Sequence, residues 1–263
     1  MIYFLSRFFL VGCLLSACCV LCHCGTRKPV APVRQTAERA KEASRLLQKI
    51  LDTNRQVDTI KGIGSVKIMQ DGRLTSFRAA WMGSQPNKFR MEILASTGQP
   101  MLSFASNGKR NYLLSYADNR LFKRKASEKG LERFISILIT PEDILDLLSG
   151  RLPVSPESLA VIVHPDENSP PALVLYDPKR GCRERIYPKT TAGSTFYRME
   201  RYDRKGRLKY RVVFEKVRET EDVRIPEELT ISNDDGAMIQ INIKRFWVNP
   251  VVPEDRFVLN PPN

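Results

Sequence analysis

Apolar and polar residues alternate with a period of two along most of this chain, and turn signals separate the alternating stretches. Residues 65–68 alternate before Asp71-Gly72, and residues 239–244 alternate after Asp234-Asp235-Gly236. Side chains of a β-strand point to opposite faces in turn, and such turn pairs favour hairpins. The pattern therefore predicts about a dozen hairpin-connected strands in one antiparallel sheet that has one apolar face.

Three segments follow a helical period instead. Residues 36–54 carry apolar side chains at helical spacing, which predicts an amphipathic helix that packs on the sheet. Residues 128–139 predict a second helix. Pro141, preceded by Thr140 as the N-cap, predicts the start of a third, strongly apolar helix that Gly150 can end.

A sheet with one apolar face has to bury that face or close on itself. The helices in the middle of the chain are too little material to fill a closed barrel of this many strands. We therefore expect a mainly β (α+β) fold: an unclosed antiparallel β half-barrel of about a dozen strands, covered by helices, with an apolar cavity. The 42% of hydrophobic residues suffice for one substantial core, and no internal linker divides it.

The N-terminus has the features of a secretory signal. Arg7 precedes an apolar run from Phe8 to Leu15, and small residues follow at Ser16-Ala17. This run is too short to cross a hydrocarbon core of ~30 Å as a helix. An extension of the apolar stretch to Cys24 leaves a membrane anchor as the alternative.

Cys18 is the expected site of lipid attachment. The setting Leu15-Ser16-Ala17-Cys18 resembles the lipobox of bacterial lipoproteins, in which an acylated cysteine becomes the first mature residue, and several acyl chains anchor a protein stably. A competing lipobox at Cys13 leaves only a few apolar residues before it. We expect a signal peptide at 1–17, a lipidated flexible tether at 18–35 and the folded domain at 36–263.

The cysteines cluster outside the expected domain. Five of the six lie between Cys13 and Cys24, and only Cys182 falls in the folded part, so we expect no internal disulfide framework. The Cys-rich run at 18–24 looks superficially like a metal cluster. No second ligand cluster follows it, and signal regions tolerate cysteine as a small apolar residue, so we expect no metal.

The chain is basic, with a formal net charge of +13. Its cations occur singly or in short runs such as Lys109-Arg110 and Lys123-Arg124-Lys125. Nucleic-acid binding is the obvious alternative for such a chain, but no recognition helix or RNA-binding motif is present. Attraction to anionic lipid headgroups fits an exported protein better, and simple solubility explains the charge equally well.

Catalytic motifs are missing from the sequence. The two histidines, His23 and His164, stand in no metal-ligand spacing, and no Gly-x-Ser-x-Gly elbow or phosphate loop occurs. Gly62-Ile63-Gly64 lies inside a strand-like stretch and indicates a bulge or close packing rather than a nucleotide site. We expect neither an enzyme nor a cofactor.

Short motifs after Asp52 resemble the LolA/LolB lipoprotein-localisation superfamily. The motifs are Ile60-Lys61-Gly62-Ile63-Gly64-Ser65-Val66, Pro86-Asn87-Lys88-Phe89-Arg90-Met91-Glu92, Gly98-Gln99-Pro100, Asn107-Gly108, Leu148-Ser149-Gly150, Tyr202-Asp203, Gly206-Arg207-Leu208, Ile225-Pro226 and Val248-Asn249-Pro250. The resemblance implies an unclosed barrel with a helical lid and a cavity for acyl chains. It also implies either a soluble periplasmic carrier, as in LolA, or an outer-membrane lipoprotein that receives and inserts cargo, as in LolB.

The lipobox favours the LolB-like arrangement, and one loop departs from it. LolB-like receptors project a loop with an exposed apolar residue; here the corresponding segment, residues 95–100, has Thr97 where leucine is expected, followed by Gly98. No apolar residue at Thr97 can therefore insert cargo into the membrane, or the neighbouring Met101 takes this role. The acyl-chain cavity is expected to be lined by inward-facing residues, for which a filled core is the alternative. They are Trp81, Phe89, Met91, Phe104, Leu138, Leu145, Tyr210 and Phe214.

These features together predict a monomeric lipoprotein on the periplasmic face of the outer membrane. Cys19 follows Cys18 where an aspartate would favour retention at the inner membrane, according to the sorting rule of Gram-negative lipoproteins. We expect the protein to bind acyl chains of lipoproteins or other lipids and to help deliver them to the outer membrane, with a periplasmic carrier protein as a candidate partner. The alternative is an assembly lipoprotein that uses the same fold as a protein-docking scaffold.

Overall fold

The computed structural model describes residues 36–126, 136–164, 171–177, 179, 183–188, 196–219 and 223–260 of the 263-residue chain. In these ranges thirteen strands belong to one antiparallel sheet, as the alternation predicts. The strands are β1 Thr59–Gln70, β2 Arg73–Ser84, β3 Lys88–Leu94, β4 Pro100–Asn107, β5 Arg110–Ser115, β6 Arg120–Lys125, β7 Leu159–Val163, β8 Ala172–Tyr176, β9 Arg183–Pro188, β10 Phe196–Tyr202, β11 Leu208–Glu219, β12 Arg224–Ser232 and β13 Met238–Val248. Cys18 and the expected tether lie outside the described residues, so their roles stay predictions.

Tight turns join neighbouring strands at the predicted positions. Asp71 and Gly72, between β1 and β2, have φ angles of 51° and 72°. Two successive residues with positive φ give a turn whose twist matches that of the flanking strands. The pairing of Gln70 with Arg73 therefore sets the register of the whole β1–β2 hairpin.

The order of the strands explains why the sheet stays unclosed. It runs β6-β5-β4-β3-β2-β1-β13-β12-β11-β10-β9-β8-β7. The chain meanders outward from β1 to β6, crosses to the opposite edge at β7 and meanders back until β13 pairs with β1. Within the described part of the chain, β6 and β7 remain as two edges that do not pair with each other. The predicted half-barrel fold is thereby confirmed.

The first helix, α1, spans Ala37–Asn54, and the predicted helix at 36–54 is confirmed. The hydroxyl of Thr36 caps it by accepting a hydrogen bond from the backbone N–H of Arg39 at 3.4 Å. Its buried apolar residues are Ala43, Leu47 and Ile50, and its packing partner is β7. Neither of the described α-helices combines the length and apolar character that crossing a bilayer requires.

The second helix, α2, spans Pro141–Leu148, as its start signals predict. The hydroxyl of Thr140 accepts a hydrogen bond from the backbone N–H of Asp143 at 3.1 Å, and proline occupies the first turn, where no hydrogen-bond donor is needed. Gly150 follows the helix with a φ of 73°, a conformation that favours glycine. This helix is almost entirely buried.

The prediction of a helix at residues 128–139 is wrong for residues 136–139, and residues 127–135 lie outside the part of the chain that the structure describes. Residues 136–139 are not helical, and the backbone N–H of Ile139 bonds to the carbonyl of Ile137. These four residues alternate between exposed and buried, a period of two that is typical of an extended chain, and Pro141 restricts only Thr140. Thr140 accordingly has an extended backbone, with ψ at 158°, so no helix can run continuously into α2.

A second apolar cluster covers the outside of the sheet. After β13 the chain forms a 3-10 helix, Glu254–Phe257, that contacts β3 and β4. Leu259 then packs on Ala105, Tyr112 and Leu114, which face away from α2. The sequence pattern predicts one apolar face, and the C-terminal segment supplies the cover for this additional one.

Candidate functional site

The concave side of the sheet, which faces α1 and α2, is the candidate site; we call it the inner face. The side chain of Leu145 on α2 fills the space directly above Gly83 of β2, so Gly83 lies on the inner face. Strand pairing assigns every other residue of neighbouring strands to this face. The inner face divides into a packed half, at β1, β2, Phe89 of β3 and β8 to β13, and an open half, from Met91 of β3 to β6.

In the packed half, glycines make room for an aromatic ring. A Cβ at Gly62 would collide with the indole ring of Trp81, and a Cβ at Gly64 would collide with the backbone carbonyl of Asn242. The β1–β13 register also shifts between Ile63 and Gly64. The two glycines therefore serve close packing beside a bulge, as the sequence predicts.

A buried ionic network joins α2 to the packed half. Arg201 of β10 donates a hydrogen bond from Nη1 to Asp143 Oδ1 of α2 at 2.5 Å and one from Nη2 to Glu184 Oε1 of β9 at 3.0 Å. Its Nη2 also donates to the carbonyl of Pro153 at 2.6 Å. Tyr210 of β11 donates from its hydroxyl to Asp143 Oδ2 at 2.9 Å. One guanidinium thus holds the helix, two strands and the segment after α2.

Burial governs the protonation of this network. It raises the pKa of Glu184, although the guanidinium of Arg201 lowers it, and it raises the pKa of the Tyr210 hydroxyl well above its ordinary value. Burial alone would lower the pKa of Arg201, but its acidic neighbours outweigh that effect and keep it above its ordinary value. The arginine therefore stays charged, and its carboxylate partners become indispensable.

This network was missed by sequence reasoning, although a signal was available. Glu184 and Arg201 face each other in the β9–β10 register, and each stands at an inward position two residues from an apolar side chain on the same face, Ile186 and Met199 respectively. Charged residues at inward positions of two paired strands indicate a buried pair. The short, weakly alternating strands around them obscured that pattern.

A second ion pair holds the other side of α2. Asp146 pairs with Arg151 Nε at 3.1 Å and accepts a hydrogen bond from the side-chain amide of Gln85 at 3.0 Å. Burial is the largest influence on its carboxyl group and raises its pKa to about 6, even though Arg151 lowers it. The helix is therefore fastened to the turn between β2 and β3 as well as to β9 and β10.

The open half consists of apolar residues that the described part of the chain leaves only partly covered. Strand pairing places them side by side on β3, β4, β5 and β6. Phe122 is half exposed, at 50%, and the others are partly buried. The residues of the open half are Met91, Ile93, Leu102, Phe104, Leu113 and Phe122.

The predicted cavity residues fall into different surroundings. Trp81, Phe89, Leu145 and Phe214 are buried in the main core. Tyr210 is buried too, but its hydroxyl belongs to the ionic network. Met91 and Phe104 belong to the open half, and Leu138 is 36% exposed beside the start of α2. Contact of any of these eight residues with an acyl chain stays a prediction.

The predicted transfer loop is a tight turn between β3 and β4. The backbone N–H of Ala95 bonds to the carbonyl of Gln99, and the N–H of Gly98 bonds to the carbonyl of Ala95. Thr97 is exposed at its tip, and Met101 beyond it is 54% exposed. The exposed apolar side chain next to this turn is therefore Met101, and its membrane role stays a prediction.

The structure brings two basic runs of the sequence together. Lys109 and Arg110 lie beside residues 123–125 at one end of the β5–β6 hairpin, where all five are exposed around a hollow of about 520 Å³. Tyr112 lies under one of them, with Lys123 Nζ 5.9 Å from its ring centroid. In the described residues none of the five has an acidic ion-pair partner. This end of the hairpin is strongly positive.

No metal centre accompanies these groups in the part of the chain that the structure describes. No three side chains among its histidines, aspartates and glutamates lie close enough together to hold an ion. His164 is exposed at the end of β7.

The fold has counterparts among solved structures. A DUF1329 family protein from Desulfovibrio piger aligns with a TM-score of 0.57 at 12% identity, over 84% of this chain and 97% of that one. A LolA superfamily protein from Nitrosomonas europaea has a TM-score of 0.56 at 12% identity, over 81% and 97%. An outer membrane lipoprotein-sorting protein domain from Vibrio parahaemolyticus has 0.56 at 13%, over 83% and 97%.

These alignments cover nearly the whole length of each counterpart, and the predicted LolA/LolB-like fold is confirmed. No protein-family model and no curated protein sequence matches the chain. At 12–13% identity the likeness is one of fold alone, shared with these three proteins.

Proposed function

We propose that this protein is a lipid-anchored envelope protein that binds acyl chains on the inner face of its half-barrel and helps deliver them to the outer membrane. Cys18 carries the anchor, and the tether at 18–35 lets the domain reach the bilayer surface. The fold shared with lipoprotein-sorting proteins supports this role.

The open half is the observation that carries the proposal. Its six side chains form a continuous apolar surface on four neighbouring strands, from Met91 on β3 to Phe122 on β6. The outside of the same strands is covered by the C-terminal segment. An acyl chain laid on this surface would gain about 0.8 kcal/mol for each methylene group removed from water.

The packed half explains why the open half is the binding surface. Trp81 and Leu145 occupy the space above Gly62 and Gly83, so that side chains of the protein itself fill this part of the inner face. Interiors packed to this extent have few voids larger than a water molecule. A lipid could enter there only if α2 moved, whereas the open half needs no such movement within the described residues.

A fluorescent fatty-acid probe tests the proposal in purified protein that carries Cys18→Ser, which leaves every residue of the described fold unchanged. We expect saturable binding and the recovery of bound lipid by mass spectrometry of the freshly purified protein. Phe122→Asp should weaken binding of the probe about tenfold or more, because it places a charge where the chain would lie.

The control for that variant is Leu74→Asp. Leu74 is 58% exposed and lies on the outer face of β2, so this change introduces the same charge at a similarly exposed apolar residue on the other side of the sheet. Probe binding should be unchanged. The alternative, an assembly lipoprotein that docks other proteins, is favoured if no saturable binding is seen, or if both variants bind equally well.

A further inference from the structure

We infer that one end of the β5–β6 hairpin is a docking surface for an anionic lipid bilayer. We call it the basic end. The inference goes beyond the proposed binding of acyl chains, because a bilayer surface can be bound whether or not the inner face takes up a chain. The basic end consists of five exposed cations, Lys109, Arg110, Lys123, Arg124 and Lys125.

The hairpin that carries these cations is almost free of acidic residues. Between Glu92 and Glu128 the sequence contains six lysines and arginines, and Asp118 is its only acidic residue. Asp118 lies in the turn between β5 and β6, away from the basic end, and accepts a hydrogen bond from the hydroxyl of Ser115 at 3.1 Å. The hairpin itself therefore does not neutralise the charge of its basic end.

Elsewhere in the described sheet, exposed or partly exposed cations have carboxylate partners. Arg211 lies 3.0 Å from Glu200, and Lys88, at the end of β3 next to the basic end, forms an ion pair with Glu254. In the part of the chain that the structure describes, none of the five cations of the basic end has such a partner. The basic end therefore differs from the rest of this basic protein in being uncompensated.

Strand alternation distributes these cations over both faces of the hairpin. Arg124 stands opposite Asn111 and shares the inner face with Phe122, whereas Lys123 stands opposite Tyr112 on the outer face. β6 is an edge strand of the described sheet, so cations of both faces can approach a common plane along this free edge. The arrangement suits a flat anionic surface that meets the hairpin at its edge and end.

A bilayer fits this surface better than a single small anion does. The five cations surround an open hollow of about 520 Å³, which is too wide for one phosphate group to bond to all of them. A bilayer offers many headgroups, and the long stems of lysine and arginine let each charge reach one. Phe122, which is 50% exposed beside Arg124, adds the apolar contact that interfacial segments combine with cations.

Docking at the basic end would bring the edge of the open half to the bilayer, because Phe122 belongs to both regions. The predicted transfer loop lies elsewhere. Met101 stands near the start of β4 and Asn107 at its end, next to the basic end, so about 20 Å separate them at the rise of an antiparallel strand. The basic end and Met101 therefore make separate predictions about membrane contact.

Sedimentation with vesicles tests the inference in the Cys18→Ser protein, which cannot carry the expected lipid anchor. We expect binding to phosphatidylcholine vesicles that contain phosphatidylglycerol to be about tenfold or more tighter than binding to phosphatidylcholine alone. The difference should disappear between about 0.1 M and 1 M salt, because the Debye length falls from about 10 Å to 3 Å. Equal binding to both kinds of vesicle, or a difference that salt does not weaken, would overturn the inference.

A charge reversal locates the surface. Replacement of both Lys123 and Arg124 by glutamate should weaken binding to the phosphatidylglycerol vesicles about tenfold or more. The matched control is Lys244→Glu with Arg245→Glu, which changes the net charge equally at two exposed cations of β13 that have no acidic partner among the described residues. It should weaken binding at most about twofold. Equal losses in the two variants would show that binding follows net charge alone, and would overturn the basic end.

Met101→Gln separates the basic end from the predicted transfer loop. This variant should bind the phosphatidylglycerol vesicles as the unchanged protein does, because Met101 lies at the other end of β4. Loss of vesicle binding in Met101→Gln, with none in the Lys123→Glu and Arg124→Glu protein, would assign the contact to the transfer loop instead.

Competitors distinguish the bilayer from other anions. Glycerol phosphate in large excess should not release the protein from the vesicles, and release would assign the basic end to free phosphate compounds. A short single-stranded DNA that binds more tightly than the vesicles, and is lost in the Lys123→Glu and Arg124→Glu protein, would assign it to nucleic acid.

The fatty-acid probe separates this inference from the proposed function. Saturable binding of the probe without any preference for phosphatidylglycerol vesicles would overturn the docking surface and leave the proposed function standing. Vesicle binding that depends on Lys123 and Arg124, in a protein that does not bind the probe, would support the docking surface and count against the proposed function.

Discussion

The guanidinium of Arg201 on β10 and the carboxylate of Asp143 on α2 meet at 2.5 Å inside the half-barrel. Both side chains are almost completely buried, and 58 residues separate them in the chain. An ion pair in such surroundings adds little net stability relative to an apolar pair, but the loss of one partner leaves an uncompensated buried charge. The pair therefore holds α2 in one position on the sheet.

Removal of this guanidinium should be costly. We expect Arg201→Ala to lower the free energy of unfolding by about 3–5 kcal/mol, because Asp143 and Glu184 then lose their common partner. The control is Arg207→Ala, since Arg207 forms a largely exposed pair with Asp203 and its removal should cost less than about 1 kcal/mol. Chemical denaturation of both variants measures the difference, and equal losses would contradict the role of the buried network.

The bulge beside Gly64 gives a second prediction. In Gly64→Ala the new Cβ would collide with the backbone carbonyl of Asn242, which belongs to the neighbouring strand and cannot rotate away. We expect a loss of about 1–3 kcal/mol or more in the free energy of unfolding. Ser65→Ala, one residue further along and on the outer face, should stay within about 0.5 kcal/mol of the unchanged protein. A Gly64→Ala variant as stable as Ser65→Ala would argue against the close approach.

The carboxyl group of Asp146 should make stability depend on pH. Its pKa rises from 3.8 to about 6 in the folded protein, so the folded state binds its proton more tightly than the unfolded state does. The contribution of this group to the free energy of unfolding is therefore fully present below pH 3.8 and is lost as the pH rises through 6. The contribution amounts to about 3 kcal/mol at most.

Asp146→Asn tests this dependence, because the amide is neutral at every pH. We expect the variant to be more stable than the unchanged protein at pH 7.5, and the advantage should shrink as the pH falls from 6.5 to 4. Thermal unfolding midpoints across that range measure it. An advantage that does not vary with pH would show that the effect comes from packing rather than from ionisation.

Lipid attachment gives a prediction for the N-terminus. Cys18→Ser should abolish incorporation of a radiolabelled or clickable palmitate during growth and release the protein from the membrane fraction. Cys19→Ser is the matched control and should be labelled normally. Labelling that is lost in Cys13→Ser but kept in Cys18→Ser would move the attachment to the competing lipobox.

Features that act over a few residues could be predicted from the sequence. The Asp71-Gly72 turn and the Thr140-Pro141 helix start depend on backbone preferences of the residues themselves, and both occur as expected. The helix predicted to end at Ile139 does not extend over residues 136–139, where burial alternates with a period of two. A short apolar run fits either period, and which side chains are buried depends on the rest of the fold.

Features that depend on partners distant in the chain could not be predicted. The ionic network requires that β9, β10 and α2 meet, and the close packing at Gly64 on β1 requires that the backbone of Asn242 on β13 lie against it. Each residue taken alone resembles an ordinary member of a strand. Which residues meet depends on the register of strand pairing. The sequence shows that register only where a short turn determines it.

By itself the sequence determined the alternating strands, their hairpins and the Thr140 cap of α2, because these follow from preferences within a few residues. Only the tertiary structure decided which part of the apolar face is filled. Trp81 and Phe104 have the same inward alternation in the sequence, yet one is buried over glycines and the other lies in the open half. Burial depends on what packs from elsewhere in the chain, and α2 contacts β12 and β3, next to which Trp81 lies, whereas Phe104 stands on β4, beyond those strands.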